Sequence, residues 1–396
     1  MRTLKLWLFA ALMAGALLPP SARSESVELT VTGDLSFWWV ISEQNENGTL
    51  QQGANHPAAQ EASGFRLNRA RIVLAPSLPV YKLYARVQLE LAGEVEPLDV
   101  WVAWKPVPIF GTYIGQMKIP STYEVAQDEF LLDFINRSTF SRTVVNYTLA
   151  DTPYDSSFSG LSAHNRDMGI EFKGAWNAGQ SWEVLRYFVM VGNGLGANLN
   201  IGGNESTGFL INNNFGDYLY GARIEVSPFE WMTLGGYYDY NYHSNMRFRD
   251  KQTVVDLGRE SWDIDAQVRL PWGFRAVGLY GQGQIHDYWP TLGRENYEYS
   301  GWEAKVLKEF FNDKLELGVR YDTFSYEFTN SGKKADENHW TFGVNYRPVD
   351  QVRLQLNYVM KDTVQPYLPD LKDNIVYLNV EMNVSGGVGL AALKKK

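Results

Sequence analysis

The sequence predicts an all-β chain that folds as a transmembrane antiparallel up-and-down β-barrel. Three observations support this prediction. Apolar and polar residues alternate with a period of two in about sixteen segments, as strands with two different faces do. Short turns and long polar loops alternate between these segments. The 23 Tyr and 13 Trp residues match the aromatic girdles of outer-membrane barrels.

The N-terminus has the features of a secretory signal. Arg2 and Lys5 precede an apolar run from Leu6 to Leu18, and small residues follow it before Glu25. Such a run is too short for a spanning helix. We therefore predict a signal peptide over residues 1–24, a barrel domain over 25–384 and a short basic tail over 385–396. A short membrane anchor is the alternative for the first segment.

Composition excludes several kinds of site. The chain has no Cys, which excludes a disulfide, a thiolate metal site, a Cys nucleophile and covalently attached haem. Without the signal, 33 basic and 45 acidic residues give a formal charge of −12, which opposes nucleic-acid binding. We expect no cofactor and no metal, because the five histidines lack a ligand-like spacing. They fall in or beside predicted loops, where we expect solvent exposure: His56, His164, His243, His286 and His339.

The first five strands are predicted from alternation near residues 27–41, 69–74, 81–91, 98–105 and 113–119. In an outer-membrane barrel the apolar face contacts lipid and the polar face lines the lumen. Phe37, Trp39 and Ile41 therefore face outward, and so do Tyr113, Met117 and Ile119. The same parity places a set of basic residues on the lumen wall: Arg69, Arg71, Lys82, Arg86, Lys105 and Lys118.

The later strands are predicted near 168–176, 180–192, 216–227, 231–243, 260–270, 273–285, 299–310, 313–327, 338–347, 351–361 and 374–384. The last is expected to end at Val384. After the signal no long apolar run occurs, so a chain that spans the membrane must do so as a closed barrel. A barrel of about sixteen strands is too wide for side chains to fill, and a water-filled channel is expected.

Tryptophans fall on both predicted faces. A set on the outer face is expected to form the interfacial girdle: Trp39, Trp104, Trp176, Trp302 and Trp340. Trp38, Trp101 and Tyr84 have lumen parity. A sugar or aromatic solute that stacks on them therefore stays open as an alternative.

The longest run without strand alternation is 120–163, between the fifth and sixth strands. Loops of this length are usually functional or disordered. We hypothesise that it folds into the barrel and sets the width and charge of a pore. It carries six acidic residues against Arg137 and Arg142, a net charge of −4. The predicted constriction residues are Lys118, Arg137, Arg142, Asp128, Glu129, Asp133, Arg69, Arg71, Lys82 and Arg86.

Two interpretations of the basic wall stay open. It steers anions along the pore, because a charged cleft concentrates counter-ions. Alternatively, its residues mainly pair with Glu90, Asp99 and the acidic loop and make the barrel rigid. The two roles are compatible.

Several stretches resemble the phosphate-selective porin O/P family of Gram-negative outer membranes. They include Phe65–Arg71, Gly115–Pro120, Phe134–Ser138 and Arg166–Gly174. The resemblance implies a sixteen-stranded trimeric porin whose third extracellular loop narrows the channel. It also implies anion conduction through arginine ladders and a lysine cluster. The acidic loop of this chain departs from that charge pattern, which leaves anion against cation selectivity open.

The leading functional prediction is a passive channel for small hydrophilic solutes or ions, including anions such as phosphate. We expect a homotrimer in the outer membrane, in contact with lipid and lipopolysaccharide, with no enzymatic activity. The alternative is a barrel sheath around a partner multihaem cytochrome that carries electrons across the membrane. An enzyme is a third possibility, but His164 with Ser159 or Ser162 lies in a loop without rigid geometry.

Overall fold

The computed structural model describes residues 27–42, 63–93, 95–146, 166–194, 210–211, 218–247, 254–286, 296–329, 332–364 and 370–390. These residues form one antiparallel sheet that closes on itself, because β1 (Val27–Ser42) pairs with both β2 (Gly64–Leu78) and β17 (Leu371–Leu390). The other strands are β3 (Leu83–Glu90), β4 (Glu96–Val107), β5 (Phe110–Lys118), β6 (Arg166–Trp176), β7 (Leu185–Gly192), β8 (Leu210–Ile211), β9 (Leu219–Phe229), β10 (Met232–Arg247), β11 (Val254–Leu270), β12 (Phe274–His286), β13 (Tyr297–Phe310), β14 (Leu315–Phe328), β15 (Lys333–Val349) and β16 (Val352–Val364). The predicted signal peptide lies outside the described residues.

Each strand pairs with its neighbour in sequence, with one exception. The two-residue strand β8 pairs only with the far end of β10, and β7 pairs directly with β9. Without β8, sixteen of the seventeen strands form the wall. The predicted sixteen-stranded up-and-down barrel is therefore confirmed, and β8 is an addition that the alternation did not predict.

Apolar side chains cover the outside of the barrel. Phe37 is 51% exposed on the outer face, whereas its neighbour Ser36 is fully buried on the inner face. All the tryptophans predicted for the girdle are 40–51% exposed. This arrangement suits a barrel wall whose outer face contacts lipid and whose inner face lines a polar interior. Among the helices of the described residues, none is long and apolar enough to cross a membrane.

At one end of the barrel, tight turns of a few residues join successive strands. Lys82, Ala178, Trp272 and Phe311 have φ of 50° to 60° there, in the left-handed region that such turns require. Lys82 is thus an exposed turn residue at the barrel rim, and its predicted position on the lumen wall is wrong.

Two further predictions need correction. β17 does not end at Val384 but continues to Leu390, because β1 starts at Val27 and pairs with β17 over that whole length. Tyr113 does not face lipid: its ring lies 5.0 Å from that of Trp101, while Ile114 is 52% exposed on the outside. Met117 and Ile119 are also buried, at 3% and 2% exposure. The three residues share one parity, so the predicted inward and outward faces of β5 are exchanged at these positions. They pack with Tyr123 and Phe140, which follow β5 in the chain, and this packing explains why apolar side chains face inward.

Candidate channel constriction

Residues 119–146, here called the constriction loop, leave β5 and cross the barrel interior to the opposite wall. The loop contains α1 (Tyr123–Ala126), a 3₁₀ turn (Glu129–Leu131) and α2 (Thr139–Asn146). Tyr123, Phe134 and Phe140 are at most 2% exposed. The rest of the predicted loop, 147–163, lies outside the described residues.

Polar side chains on the far wall bind the backbone of the loop. Buried backbone groups need hydrogen-bond partners, and an irregular segment cannot supply them to itself. Four hydrogen bonds of 2.7 Å connect the loop to this wall. Three wall side chains donate to backbone oxygens of the loop: Arg353 to Leu132, Asn345 to Asp133 and Arg320 to Asn136. In the fourth, the backbone N–H of Ile135 donates to the side-chain oxygen of Asn357. The path of the loop is therefore fixed by β14, β15 and β16.

Two phenyl rings of the loop lie directly on glycines of the far wall. A Cβ atom built on Gly281 would lie 2.2 Å from Cζ of Phe140, and one on Gly343 would lie 2.8 Å from Cε1 of Phe134. We call these contacts the glycine seats. They consist of Gly281 and Gly301 under Phe140, and Gly318 and Gly343 under Phe134. Only residues without a side chain allow the rings this close to the wall.

A buried ion network neutralises two of the acidic groups of the loop. Lys305 Nζ lies 3.1 Å from Glu124 Oε1 and 2.8 Å from Asp133 Oδ2. The N–H of Ser138 also donates to Glu124, at 2.8 Å. Burial opposes ionisation of both carboxyl groups, but the positive charge of Lys305 outweighs it. The pKa of Glu124 is therefore lowered, and that of Asp133, which also pairs with Arg275, falls to about 2.

Glu129 connects the loop to the near wall. It pairs with Arg71 on β2 and, at 3.3 Å, with Arg137 in the loop. Burial alone would raise the pKa of Glu129, but Lys118, Arg71 and Arg137 hold it well below its usual range. Three of the four acidic groups of the constriction loop, Glu124, Glu129 and Asp133, are thus ionised and matched by cations.

Two cavities flank the loop. The first, here called the arginine cavity, has a volume of about 400 Å³. Its charged lining is Arg69, Arg71, Arg137 and Arg142 with Glu90, Glu96 and Glu129. The second, here called the lysine cavity, has a volume of about 180 Å³. Its charged lining is Arg86, Lys118, Lys173 and Arg223 with Asp99, Asp128 and Glu171. Each lining has four cations and three carboxylates, and some of these cations also pair with carboxylates outside it: Arg69 with Asp34, and Arg223 with Glu225 and Asp265.

The predicted wall cations largely pair with acidic residues. Arg69 lies 2.5 Å from Asp34, and Arg86 lies 3.1 Å from Asp99. Lys118 Nζ donates to the backbone oxygen of Gln127 at 2.7 Å, closer than the 3.9 Å that separates it from Asp128. The side chain of Asp128 is 70% exposed, so its pairing with Lys118 is weak.

The far-wall groups were absent from the predicted site. They are Arg275, Lys305, Arg320 and Arg353, on β12, β13, β14 and β16. The inward parity of these strands is the sequence signal that could have found them.

One histidine departs from the prediction of exposed loop histidines. His339 lies in β15, is 7% exposed and has Nδ1 2.9 Å from the hydroxyl of Thr139. His56 and His164, and the side chains of His243 and His286, lie outside what the structure describes. Within the described part of the chain, no group of His, Asp or Glu residues is arranged to hold a metal ion.

Comparison of the sequence with family models finds a match to the phosphate-selective porin O and P family over residues 277–374, from β12 to the start of β17. The chain resembles this porin family. The match confirms the resemblance seen in the sequence. No curated protein sequence matches the chain.

Solved structures of outer-membrane proteins share the fold. OmpT, an outer membrane protein of Vibrio cholerae in its trimer form, superposes with a TM-score of 0.62 at 11% identity, over 91% of this chain and 100% of that one. The outer membrane channel DcaP of Acinetobacter baumannii gives a TM-score of 0.56 at 12% identity, over 90% and 97%. An anion-selective porin from Comamonas acidovorans gives 0.56 at 11% identity, over 91% and 100%. At these identities the likeness shows the barrel architecture.

Proposed function

We propose that the chain forms a passive, water-filled channel in the Gram-negative outer membrane that favours small anions over cations. The pairing of three of the four acidic groups of the constriction loop with cations carries this proposal. Glu124, Glu129 and Asp133 are each paired with cations, and among the described residues no carboxylate lies within 4.0 Å of the guanidinium of Arg142 in the arginine cavity. Charge at a constriction decides selectivity, because ions lose part of their hydration there.

An acidic cavity at the long-loop end of β11–β15 acts in the opposite sense. It has a volume of about 510 Å³ and is lined by Glu260, Glu298, Glu327 and Lys334. Salt screens the field of a wide aqueous mouth within about 8 Å at physiological ionic strength. We therefore expect the constriction to set the sign of selectivity, and the mouth to reduce anion entry at low salt.

The docked loop opposes the alternative of a sheath around a cytochrome. Tyr123, Phe134 and Phe140 occupy the interior that such a partner would need. Passive diffusion requires no chemical step, so the proposal includes no enzymatic activity. The Ser and His residues considered for an enzyme lie outside the described residues.

We also propose a homotrimer whose apolar outer surface contacts lipid and lipopolysaccharide. The trimer form of the Vibrio cholerae protein supports this assembly. Native mass spectrometry of the detergent-solubilised protein should give a species of three times the monomer mass. A monomer that nevertheless conducts would contradict the assembly and leave the channel intact.

Planar-bilayer recording tests the channel. The purified protein should give discrete conductance steps in KCl. In a KCl gradient its zero-current potential should lie closer to the equilibrium potential of chloride than to that of potassium. Arg142→Gln in the arginine cavity and Arg86→Gln in the lysine cavity should each reduce the chloride preference. A protein that inserts without discrete conductance would refute the channel, and a zero-current potential on the potassium side would refute the anion preference.

A further inference from the structure

We infer that the arginine cavity binds organic monocarboxylates, solutes with one carboxylate group on an apolar body. This inference rests on the proposed channel and names a solute class for it. Three features of the cavity carry it: its charge, its apolar surface and its size.

The charge of the cavity suits one negative charge. Arg69 pairs with Asp34, and Arg71 pairs with Glu90. Glu129 is shared between Arg71 and Arg137. Among the described residues, no carboxylate lies within 4.0 Å of the guanidinium of Arg142. The other three lining arginines have carboxylate partners, so a monoanion would match the charge of Arg142, whereas a multiply charged phosphate would exceed it.

The apolar surface lies in the same cavity. Trp38, Leu132 and Ile135 line it together with the arginines. Ile135 and Trp38 belong to one packed cluster, and the ring of Tyr377 holds Trp38 edge-on at 5.8 Å. An inorganic anion makes no use of this surface, but an apolar body gains free energy for every CH₂ group that it buries there.

The polar contacts and the volume complete the site. Asn68 and Asn136 line the cavity and carry amide groups that can donate to a carboxylate. A volume of about 400 Å³ lies in the range of small-molecule pockets, whereas the lysine cavity, at about 180 Å³, lies below it. The larger cavity is therefore the one that accepts a ring-sized solute.

Current block in single-channel recordings tests the inference. Cyclohexanecarboxylate, acetate, phosphate and the neutral cyclohexylmethanol are each added to a channel that conducts KCl. Cyclohexanecarboxylate should interrupt the current at a concentration at least about tenfold lower than acetate, because only its body reaches the apolar surface. Phosphate and cyclohexylmethanol should block no better than acetate.

Three variants locate the site. Asn136→Asp keeps the side-chain shape, adds one negative charge to the arginine cavity and should raise the half-blocking concentration of cyclohexanecarboxylate at least about tenfold. Trp38→Leu should reduce the difference between the half-blocking concentrations of cyclohexanecarboxylate and acetate. Arg86→Gln, in the lysine cavity, should leave the ratio between the two carboxylates unchanged.

Each outcome decides a separate point. A channel that prefers chloride but is blocked equally by acetate and cyclohexanecarboxylate keeps the proposed function and overturns the inference. Block that survives both Asn136→Asp and Trp38→Leu also overturns it. Saturation-transfer NMR of the detergent-solubilised protein measures binding without current. Binding that Asn136→Asp abolishes, in a protein that does not conduct, would refute the channel and support the site.

Discussion

A single methyl group on the barrel wall should displace the constriction loop. In Gly281→Ala the new Cβ would lie 2.2 Å from Cζ and 2.5 Å from Cε1 of Phe140. Ordinary van der Waals contact begins at 3.4 Å, so the ring must move by roughly 1 Å or leave its seat. The backbone oxygen of Trp262, 2.9 Å from the same Cβ, limits escape in the other direction.

The cost follows from overpacking. Inserting a methylene group into a packed core costs about 1–3 kcal/mol, and full loss of a buried Phe contact costs about 3–5 kcal/mol. We expect Gly281→Ala to destabilise the docked loop by about 2 kcal/mol or more. Arg142 lies in α2, two residues beyond Phe140, and should move with it. The open-channel current should therefore become larger and noisier, and the chloride preference weaker.

A matched control lies on the same strand. In Gly278→Ala the nearest atom to the new Cβ is the backbone oxygen of Glu303, at 3.9 Å, so no displacement is expected. Phe140→Ala should loosen the loop as well. Adding Gly281→Ala to Phe140→Ala should cost less than Gly281→Ala alone, because the clash with the ring is gone and only the 2.9 Å contact with the oxygen of Trp262 remains. If conductance noise and denaturant unfolding of Gly281→Ala equal those of wild type and Gly278→Ala, the glycine seats do not hold the loop.

Three further predictions concern the charges of the loop. Glu129→Gln removes the carboxylate partner of Arg137 and one of the two partners of Arg71, which keeps Glu90, so the zero-current potential in a KCl gradient should move closer to the equilibrium potential of chloride; an unchanged value would contradict the pairing. Because the folded pKa of Asp133 is about 2, below the ordinary 3.8, its stabilisation of about 2 kcal/mol should be complete above pH 4 and lost as the pH falls toward 2. The noise of the open-channel current, measured as a function of pH, checks this prediction. An increase in noise already at pH 6 would contradict it. Lys305→Met leaves Glu124 and Asp133 without their shared cation and should cost about 3–5 kcal/mol in denaturant unfolding; a loss below about 1 kcal/mol would show that the network contributes little.

The barrel wall could be predicted from sequence because its signal is local. Alternation with a period of two marks each strand and its outer face, as at Phe37 and Trp104. The prediction fails where apolar residues face inward. Tyr113, Met117 and Ile119 of this part of the chain pack inside the barrel with Tyr123 and Phe140, a contact that no local pattern encodes.

The charge of the constriction could not be predicted in the same way. The loop sequence alone gives −4, but its acidic groups meet cations far along the chain, as Asp133 meets Arg275 and Lys305. These contacts depend on how the loop crosses the barrel, which no local pattern encodes. The net charge of the loop sequence therefore does not give the charge that the docked loop presents to the pore.

The zero-current potential of the wild-type channel at neutral pH, across a bilayer with a tenfold KCl gradient, tests the central claim most directly. The pairing of Glu124, Glu129 and Asp133 with cations, together with the guanidinium of Arg142, predicts a zero-current potential near the equilibrium potential of chloride, and Arg142→Gln should move it away from that value. A potential on the potassium side, unchanged by that substitution, would show that the acidic groups of the loop still govern the pore.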